Sequence, residues 1–144
     1  MKHIFPRTIA LLFATLSSLS IAAPAHAENF TTAAEVRPIL AATKAQWIAV
    51  RQYDGADLLY FTNLLAWRCG LERIEYAING APAELLNAEP CHEGEAVPNA
   101  LKVEDQLPYI RLPLASLQSV EVIITYDDGA SETASFQRKD IEIN

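Results

Sequence analysis

The chain has 144 residues, and its 18 acidic residues outnumber its 11 basic ones, which gives a formal net charge of −7 at pH 7. Nucleic acids and anionic membrane surfaces are bound by clustered Lys and Arg, so neither is expected as a partner of this acidic chain. The chain has only five glycines, and no glycine-rich phosphate loop, serine nucleophile elbow or twelve-residue calcium loop is found.

The N-terminus has the organisation of a signal peptide. Two basic residues precede a long apolar stretch, and residues 25–27, Ala-His-Ala, fit the small-x-small pattern at which signal peptidase cleaves. We therefore expect residues 1–27 to be a signal peptide and residues 28–144 to form a single periplasmic or secreted domain. After cleavage no membrane contact is expected, and His92 is the one histidine that remains.

The two cysteines, Cys69 and Cys91, both follow the predicted signal peptide. In an oxidising compartment such a pair predicts a disulfide. A loop of about 22 residues would be closed, and the chain-entropy model assigns it a stabilisation of roughly 3 kcal/mol. The alternative is a pair of free or metal-bound thiols.

The first predicted element is one short helix within about 33–44. Thr32-x-x-Glu35 fits a capping box, and apolar residues follow at helical spacing. Pro38 would remove a backbone hydrogen bond inside such a helix, so its alternative place is the first turn.

A hairpin is predicted next. Residues alternate in character from Trp47 onward, which indicates a strand, and Asp54-Gly55 is typical of a tight hairpin turn. The apolar run from Leu58 to Trp67 predicts the returning strand. A helix over the same run is the alternative, because a continuous apolar run has no decisive period.

The remaining strands are predicted from alternation and turn residues. Asn79-Gly80 ends one alternating segment, and Asp127-Asp128-Gly129 joins two others. Residues 81–107 contain several prolines and little periodicity, so they are expected to form a long irregular loop, with Cys91 as its tie. The predicted strands cover 71–78, 109–114, 120–126 and 131–137.

About six short strands and one helix predict a mainly β fold, an antiparallel β-sandwich with a long disulfide-tied loop. The segment Ile74-x-Tyr76-x-Ile78-Asn79-Gly80 and the hairpin over 120–136 resemble parts of immunoglobulin-like or fibronectin-like domains, which implies a sandwich of that kind. The stretch from Trp47 through Gly70 is similar to small secreted bacterial proteins of unknown function, and this resemblance implies no activity.

The function is predicted from what the chain lacks and from its aromatic and cationic residues. With a single histidine and no catalytic constellation, the chain is expected to be a non-enzymatic binding or interaction module without a cofactor. Its ligand, a protein or a small molecule, is expected at a surface on the first hairpin and near the cysteines, although core packing is the alternative for the aromatic residues. The candidate surface residues are Trp47, Arg51, Tyr53, Trp67, Arg68 and His92.

The segment Cys91-His92-Glu93-Gly94-Glu95 contains three types of metal ligand. Adjacent Cys and His side chains rarely reach one ion, and no second histidine completes a ligand set, so no metal is expected. The alternative function is a thiol- or metal-binding periplasmic protein that uses Cys69, Cys91 and His92.

Overall fold

A computed structural model describes residues 29–102 and 106–144, so the predicted signal peptide lies outside the described residues. The described residues form two antiparallel sheets and several short helices. The strands are β1 (Ala49–Tyr53), β2 (Ala56–Tyr60), β3 (Leu71–Ile78), β4 (Glu84–Leu85), β5 (Tyr109–Pro113), β6 (Ser119–Tyr126) and β7 (Ser131–Gln137). The helices are α1 (Ala33–Ala42), α2 (Thr62–Leu65) and α3 (Arg138–Ile141), with 3-10 turns at Lys44–Gln46 and Arg68–Gly70.

The smaller sheet has the strand order β1-β2-β5. Its first two strands are joined by Asp54-Gly55, and both residues have positive φ angles, of 47° and 69°. That geometry defines the tight turn that matches the twist of paired strands, so the predicted hairpin turn is confirmed. The larger sheet has the order β4-β3-β6-β7, and its β6–β7 hairpin turns at 127–130.

Helix α1 and its capping box are confirmed. The Glu35 carboxylate accepts hydrogen bonds from the backbone N–H and the hydroxyl of Thr32, at 3.0 and 2.8 Å. Asp127 accepts a further bond, of 2.9 Å, from the N–H of Ala33, so a turn between two strands also caps this helix. The alternative place for Pro38 in the first turn is wrong, because Pro38 lies inside the helix.

The apolar run from Leu58 to Trp67 is part strand and part helix. Strand β2 ends at Tyr60, and α2 begins two residues later. Phe61, Leu64 and Leu65 are all buried, and their spacing of three and four residues places them on one side of a helical turn. The predicted returning strand is therefore wrong beyond Tyr60, and the expectation of a single helix is wrong because α2 and α3 accompany α1.

One hydrophobic core receives side chains from both sheets and from α1. Val50 and Leu59 reach it from the smaller sheet, and Val122 and Ile124 reach it from the larger one. Trp47 is fully buried in the same core, where its indole N–H donates a 2.9 Å hydrogen bond to the carbonyl of Leu40. No helix among the described residues is long and apolar enough to span a membrane.

The predicted irregular loop over 81–107 contains only β4 as a regular element within its described part. A disulfide between Cys69 and Cys91 ties it to the 3-10 turn before β3, as predicted. The chain therefore holds a long segment of irregular backbone against the end of the larger sheet through a covalent bond.

Candidate functional site

The outer face of the smaller sheet carries arginine and tyrosine side chains in place of an ordinary polar surface. Strand residues alternate between two faces, and Val50 and Leu59 occupy the face toward the core. The residues that alternate with these two along each strand form the other face. The pairing register places them side by side across the three strands. We call this surface the Arg–Tyr face; its members are Arg51, Tyr53, Tyr60, Tyr109 and Arg111.

The two arginines of the Arg–Tyr face flank one buried leucine. Leu58 pairs with Arg51 on one side and with Arg111 on the other, so the three residues form a row across the sheet. The leucine side chain is only 3% exposed although it belongs to the outer face. Strands lie about 4.8 Å apart, so the backbones that carry the two guanidinium groups are separated by about 10 Å.

The tyrosines are arranged around this row. Tyr60 pairs with Tyr109 in the next row, and their ring centroids lie 5.1 Å apart at an interplanar angle of 55°. Tyr53 is 58% exposed, and the guanidinium carbon of Arg51 lies 5.4 Å from its ring centroid. This contact lies within the range of a cation–π interaction, so it holds the arginine over the face.

The charge of Arg51 is not neutralised by a carboxylate within the described parts of the chain. Its contact with Tyr53 is a ring contact, whereas most other cations of these parts form ion pairs. Arg111 is bound more firmly, since it donates a 2.6 Å hydrogen bond to the Asp54 carbonyl and lies 3.4 Å from the carboxylate of the same residue. A protein with an excess of acids therefore presents a basic and aromatic patch on this face.

A cavity of about 400 Å³ adjoins the Arg–Tyr face. It begins beside Arg51 and extends along β1 to the first turn of α2. Backbone and side chains of mixed character line it: Gln46, Trp47, Ile48, Ala49, Arg51, Tyr60, Thr62, Asn63 and Ile143. Its volume lies within the range of small-ligand sites, and its lining is mostly apolar with a smaller polar part.

Arg68 is buried at 5% exposure, so its predicted place on an exposed surface is wrong. Its guanidinium is surrounded by backbone carbonyls. It donates at 2.7 Å to Glu89, at 2.6 Å to Asn99 and at 2.9 Å to Ala100, and it also reaches the carbonyls of Leu65 and Pro90. Burial lowers the pKa of Arg68, and the charge of Glu89 opposes that shift.

His92 lies in the irregular loop whose carbonyls bind Arg68. Among the described residues, its side chain contacts Glu89 and Glu95 and no member of the Arg–Tyr face. Its Nε2 lies 2.5 Å from Oε1 of Glu89, a residue that is only 2% exposed. The Glu89 carboxylate also accepts the backbone N–H of Lys102, with both oxygens at 2.9 Å. The side chain of His92 therefore takes part in a polar network that orders the loop.

Trp67 lies in a third environment. Its ring meets Phe30 edge-on with centroids 5.1 Å apart, and both residues line a small cavity with Val97, Pro98 and Asn99. The indole N–H is buried, and no hydrogen-bond partner is found for it among the described residues. Trp47 is in the core, so of the aromatic candidates only Tyr53 lies on the Arg–Tyr face.

The six sequence-predicted surface residues are thus not brought together. Arg51 and Tyr53 share one surface, whereas Arg68 and His92 order the loop. Tyr60, Tyr109 and Arg111 were not included in the predicted surface, because their place beside Arg51 depends on which strands pair. One sequence signal could have found them. In the segments 49–53, 56–60 and 109–113, the basic and aromatic residues stand at alternate positions, so within each strand they share one face.

The cysteines are joined, and no free cysteine is present among the described residues. Within residues 29–102 and 106–144, no group of three or more His, Cys, Asp or Glu side chains is placed to hold a metal ion. The acids near the glycine turns have other partners: Asp57 bonds with Arg138, and Asp128 with Arg37.

Comparison of the chain with protein-family models, with curated protein sequences and with solved structures gave no significant match.

Proposed function

We propose that this protein is an exported, non-enzymatic binding module that recognises an acidic segment of a partner protein on its Arg–Tyr face. Export rests on the signal-peptide pattern of residues 1–27, and the disulfide is compatible with an oxidising compartment. We also assign the two sheets to an immunoglobulin-like sandwich, because both contribute side chains to one core and the pattern of two segments resembles such domains.

The observation that carries the proposal is the uncompensated guanidinium of Arg51 on an aromatic surface. Tyr and Arg are the residue types enriched at the energetic centres of protein interfaces. They supply large contact areas and charge-assisted hydrogen bonds to carboxylates. The net charge of −7 means that most of the chain repels an acidic ligand, whereas this patch attracts one.

The spacing of the arginines favours a peptide segment as the ligand. Arg51 and Arg111 stand at opposite edges of the three-strand row that contains Leu58. A separation of about 10 Å between their backbones suits a ligand with more than one carboxylate and an extended shape. Arg51, Tyr53 and Arg111 are exposed, so a segment laid on the face can reach their side chains.

The proposal is tested by panning a displayed library of random short peptides on the immobilised domain, residues 28–144. We expect enrichment of acidic sequences that bind the wild-type protein and lose binding to the double variant Arg51→Glu/Arg111→Glu. The matched control is Lys139→Glu, which reverses the charge of an exposed cation that lies on α3 and is not a member of the Arg–Tyr face. Peptides that bind the double variant as well as the wild type, or the absence of any enriched acidic sequence, would contradict the proposal.

Export is tested separately by intact mass. A protein recovered from the periplasm or medium should have the mass of residues 28–144 less two protons for the disulfide. Recovery of the full 144-residue chain in the cytosol would contradict this part of the proposal.

A further inference from the structure

The cavity beside the Arg–Tyr face adds a second requirement to the ligand. It adjoins Arg51, and its lining includes Ala49 and Tyr60, which pair with each other one row further along the sheet. The lining is mostly apolar, and Ile143, which is 49% exposed, contributes to its rim. An apolar group that enters the cavity would therefore remove apolar surface from water within reach of the guanidinium.

The spacing between the backbones of Arg51 and of the cavity residue Ala49 follows from the geometry of the strand. Arg51 and Ala49 lie two residues apart on one face of β1, which corresponds to about 6.7 Å along the chain. In an extended ligand, side chains two residues apart point to the same side and have that same spacing. A ligand segment that lies along β1 can thus place one carboxylate at Arg51 and an apolar side chain in the cavity at once. Arg111 lies about 10 Å away across the sheet, so a carboxylate that meets it comes from another part of the ligand.

We infer that the acidic segment recognised by this protein carries an apolar side chain two residues from an Asp or Glu, and that this side chain occupies the cavity. The inference rests on the proposed function and narrows its ligand. Two polar lining residues already bond to each other, since Asn63 donates a 2.9 Å hydrogen bond to the Gln46 carbonyl.

The cavity volume leaves room for a large apolar side chain. About 400 Å³ accommodates a leucine, isoleucine or phenylalanine side chain with part of its backbone, and it is larger than an alanine methyl group needs. Burial of the additional carbons of leucine over alanine should strengthen binding by about tenfold or more. Replacement of the ligand's carboxylates should also weaken binding, because the ion pair with Arg51 is lost.

The test uses four capped heptapeptides and NMR titration of the labelled domain. The first peptide has a central leucine with a glutamate two residues away on each side, on a serine background, so it fits in either direction. The second replaces leucine by alanine, the third replaces both glutamates by glutamine, and the fourth moves the glutamates next to the leucine. The first peptide should bind most tightly, as measured by the shifts of the β1 and α2 resonances. The alanine peptide should bind at least about tenfold more weakly, and the other two at least about fivefold more weakly.

Variants of the protein locate the binding. Thr62→Phe adds a large side chain at an exposed position of the cavity rim, and it should weaken the leucine peptide at least about fivefold. Thr133→Phe is the size-matched control at an exposed position of β7, and Lys139→Gln is a charge-removal control on α3. Both controls should bind within about twofold of the wild type.

The outcomes separate this inference from the proposed function. If the leucine and alanine peptides bind equally, or Thr62→Phe binds like the wild type, while Arg51→Gln still abolishes binding, the cavity assignment is wrong and the acidic-segment proposal stands. If no peptide binds and the library also enriches no acidic sequence, both are wrong.

Discussion

Arg138 and Asp57 connect the two sheets through a buried ion pair. Asp57 lies in the central strand of the smaller sheet and is fully buried, and Arg138 follows the last strand of the larger sheet. The guanidinium donates hydrogen bonds of 2.7 and 3.1 Å to the two carboxylate oxygens. The Leu117 N–H adds a third bond, of 3.2 Å. Hydrogen bonding to Arg138 holds the pKa of Asp57 below its ordinary value, against the opposing effect of burial.

Asp57→Asn should lower the free energy of unfolding by about 2 kcal/mol, because it removes the buried carboxylate and leaves Arg138 with only the exposed carboxylate of Glu142 as a charge partner. Equilibrium unfolding in urea measures the change. Asp128→Asn is the matched control, since it removes the partner of Arg37 in an exposed pair, and it should change stability little. Equal effects of the two substitutions would show that burial does not distinguish the pairs.

The same pair predicts how stability depends on pH. A carboxyl whose pKa is lower in the folded state than in the unfolded state stabilises the protein above the unfolded value of about 3.9, and this contribution is lost as the pH falls through the folded value. The difference in stability between wild type and Asp57→Asn should therefore be constant near neutral pH and become smaller below about pH 4. A difference that grows on acidification would contradict this assignment.

Loss of the disulfide should lower the free energy of unfolding by about 3 kcal/mol, since a loop of about 22 residues is then unconstrained in the unfolded chain. The double variant Cys69→Ser/Cys91→Ser tests this by thermal or urea unfolding. Reduction of the wild-type protein should reproduce the loss, and the same reductant should leave the double variant unchanged. Coincident unfolding curves for the oxidised wild type and the double variant would refute the expected contribution.

Gly70→Ala should destabilise the protein by about 2 kcal/mol through overpacking. A Cβ atom at this position would lie 2.5 Å from Cγ2 of Val36 and 2.8 Å from the backbone carbonyl of Thr32, so α1 and the 3-10 turn would have to separate. In a double-mutant cycle, Val36→Ala should offset part of the loss because it removes one of the two clashing groups. Simple additivity of the two changes would mean that the contact at Val36 is not the cause.

Local patterns were sufficient for most of the elements. The alternation of Ile74, Tyr76 and Ile78 and the Asp54-Gly55 turn are visible within a few residues, and the structure confirms the strand and the turn. The capping box is equally local. The change from strand to helix within the run from Leu58 to Trp67 could not be predicted from hydrophobic periodicity, because the whole run is rich in apolar residues. The buried residues of the helical part, Phe61, Leu64 and Leu65, are separated by three and four positions, but their apolar neighbours obscure this spacing.

The candidate site depended on contacts between distant segments, and these could be predicted only in part. Arg51 and Tyr53 were found because they alternate within one strand, but Arg111 joins them only through the pairing of β2 with β5. The burial of Arg68 could not be predicted for the same reason, since most of its partners are backbone carbonyls 21 to 32 residues away in the loop. A carbonyl is present at every residue, so the sequence around the loop carries no mark of such a contact.

The bonds from Arg68 to backbone carbonyls limit the length of the loop. Arg68 recognises the main chain at Glu89, Pro90, Asn99 and Ala100, and a carbonyl oxygen does not depend on the side chain beside it. Substitutions at Pro90 or Ala100 that keep the backbone path would preserve these bonds, whereas an insertion or deletion between 90 and 99 would move the carbonyls out of reach. The contacts with Arg68 thus constrain the length of the loop and not its sequence, so exposed side chains outside the disulfide and the Glu89–His92 network can diverge while the path of the chain is retained.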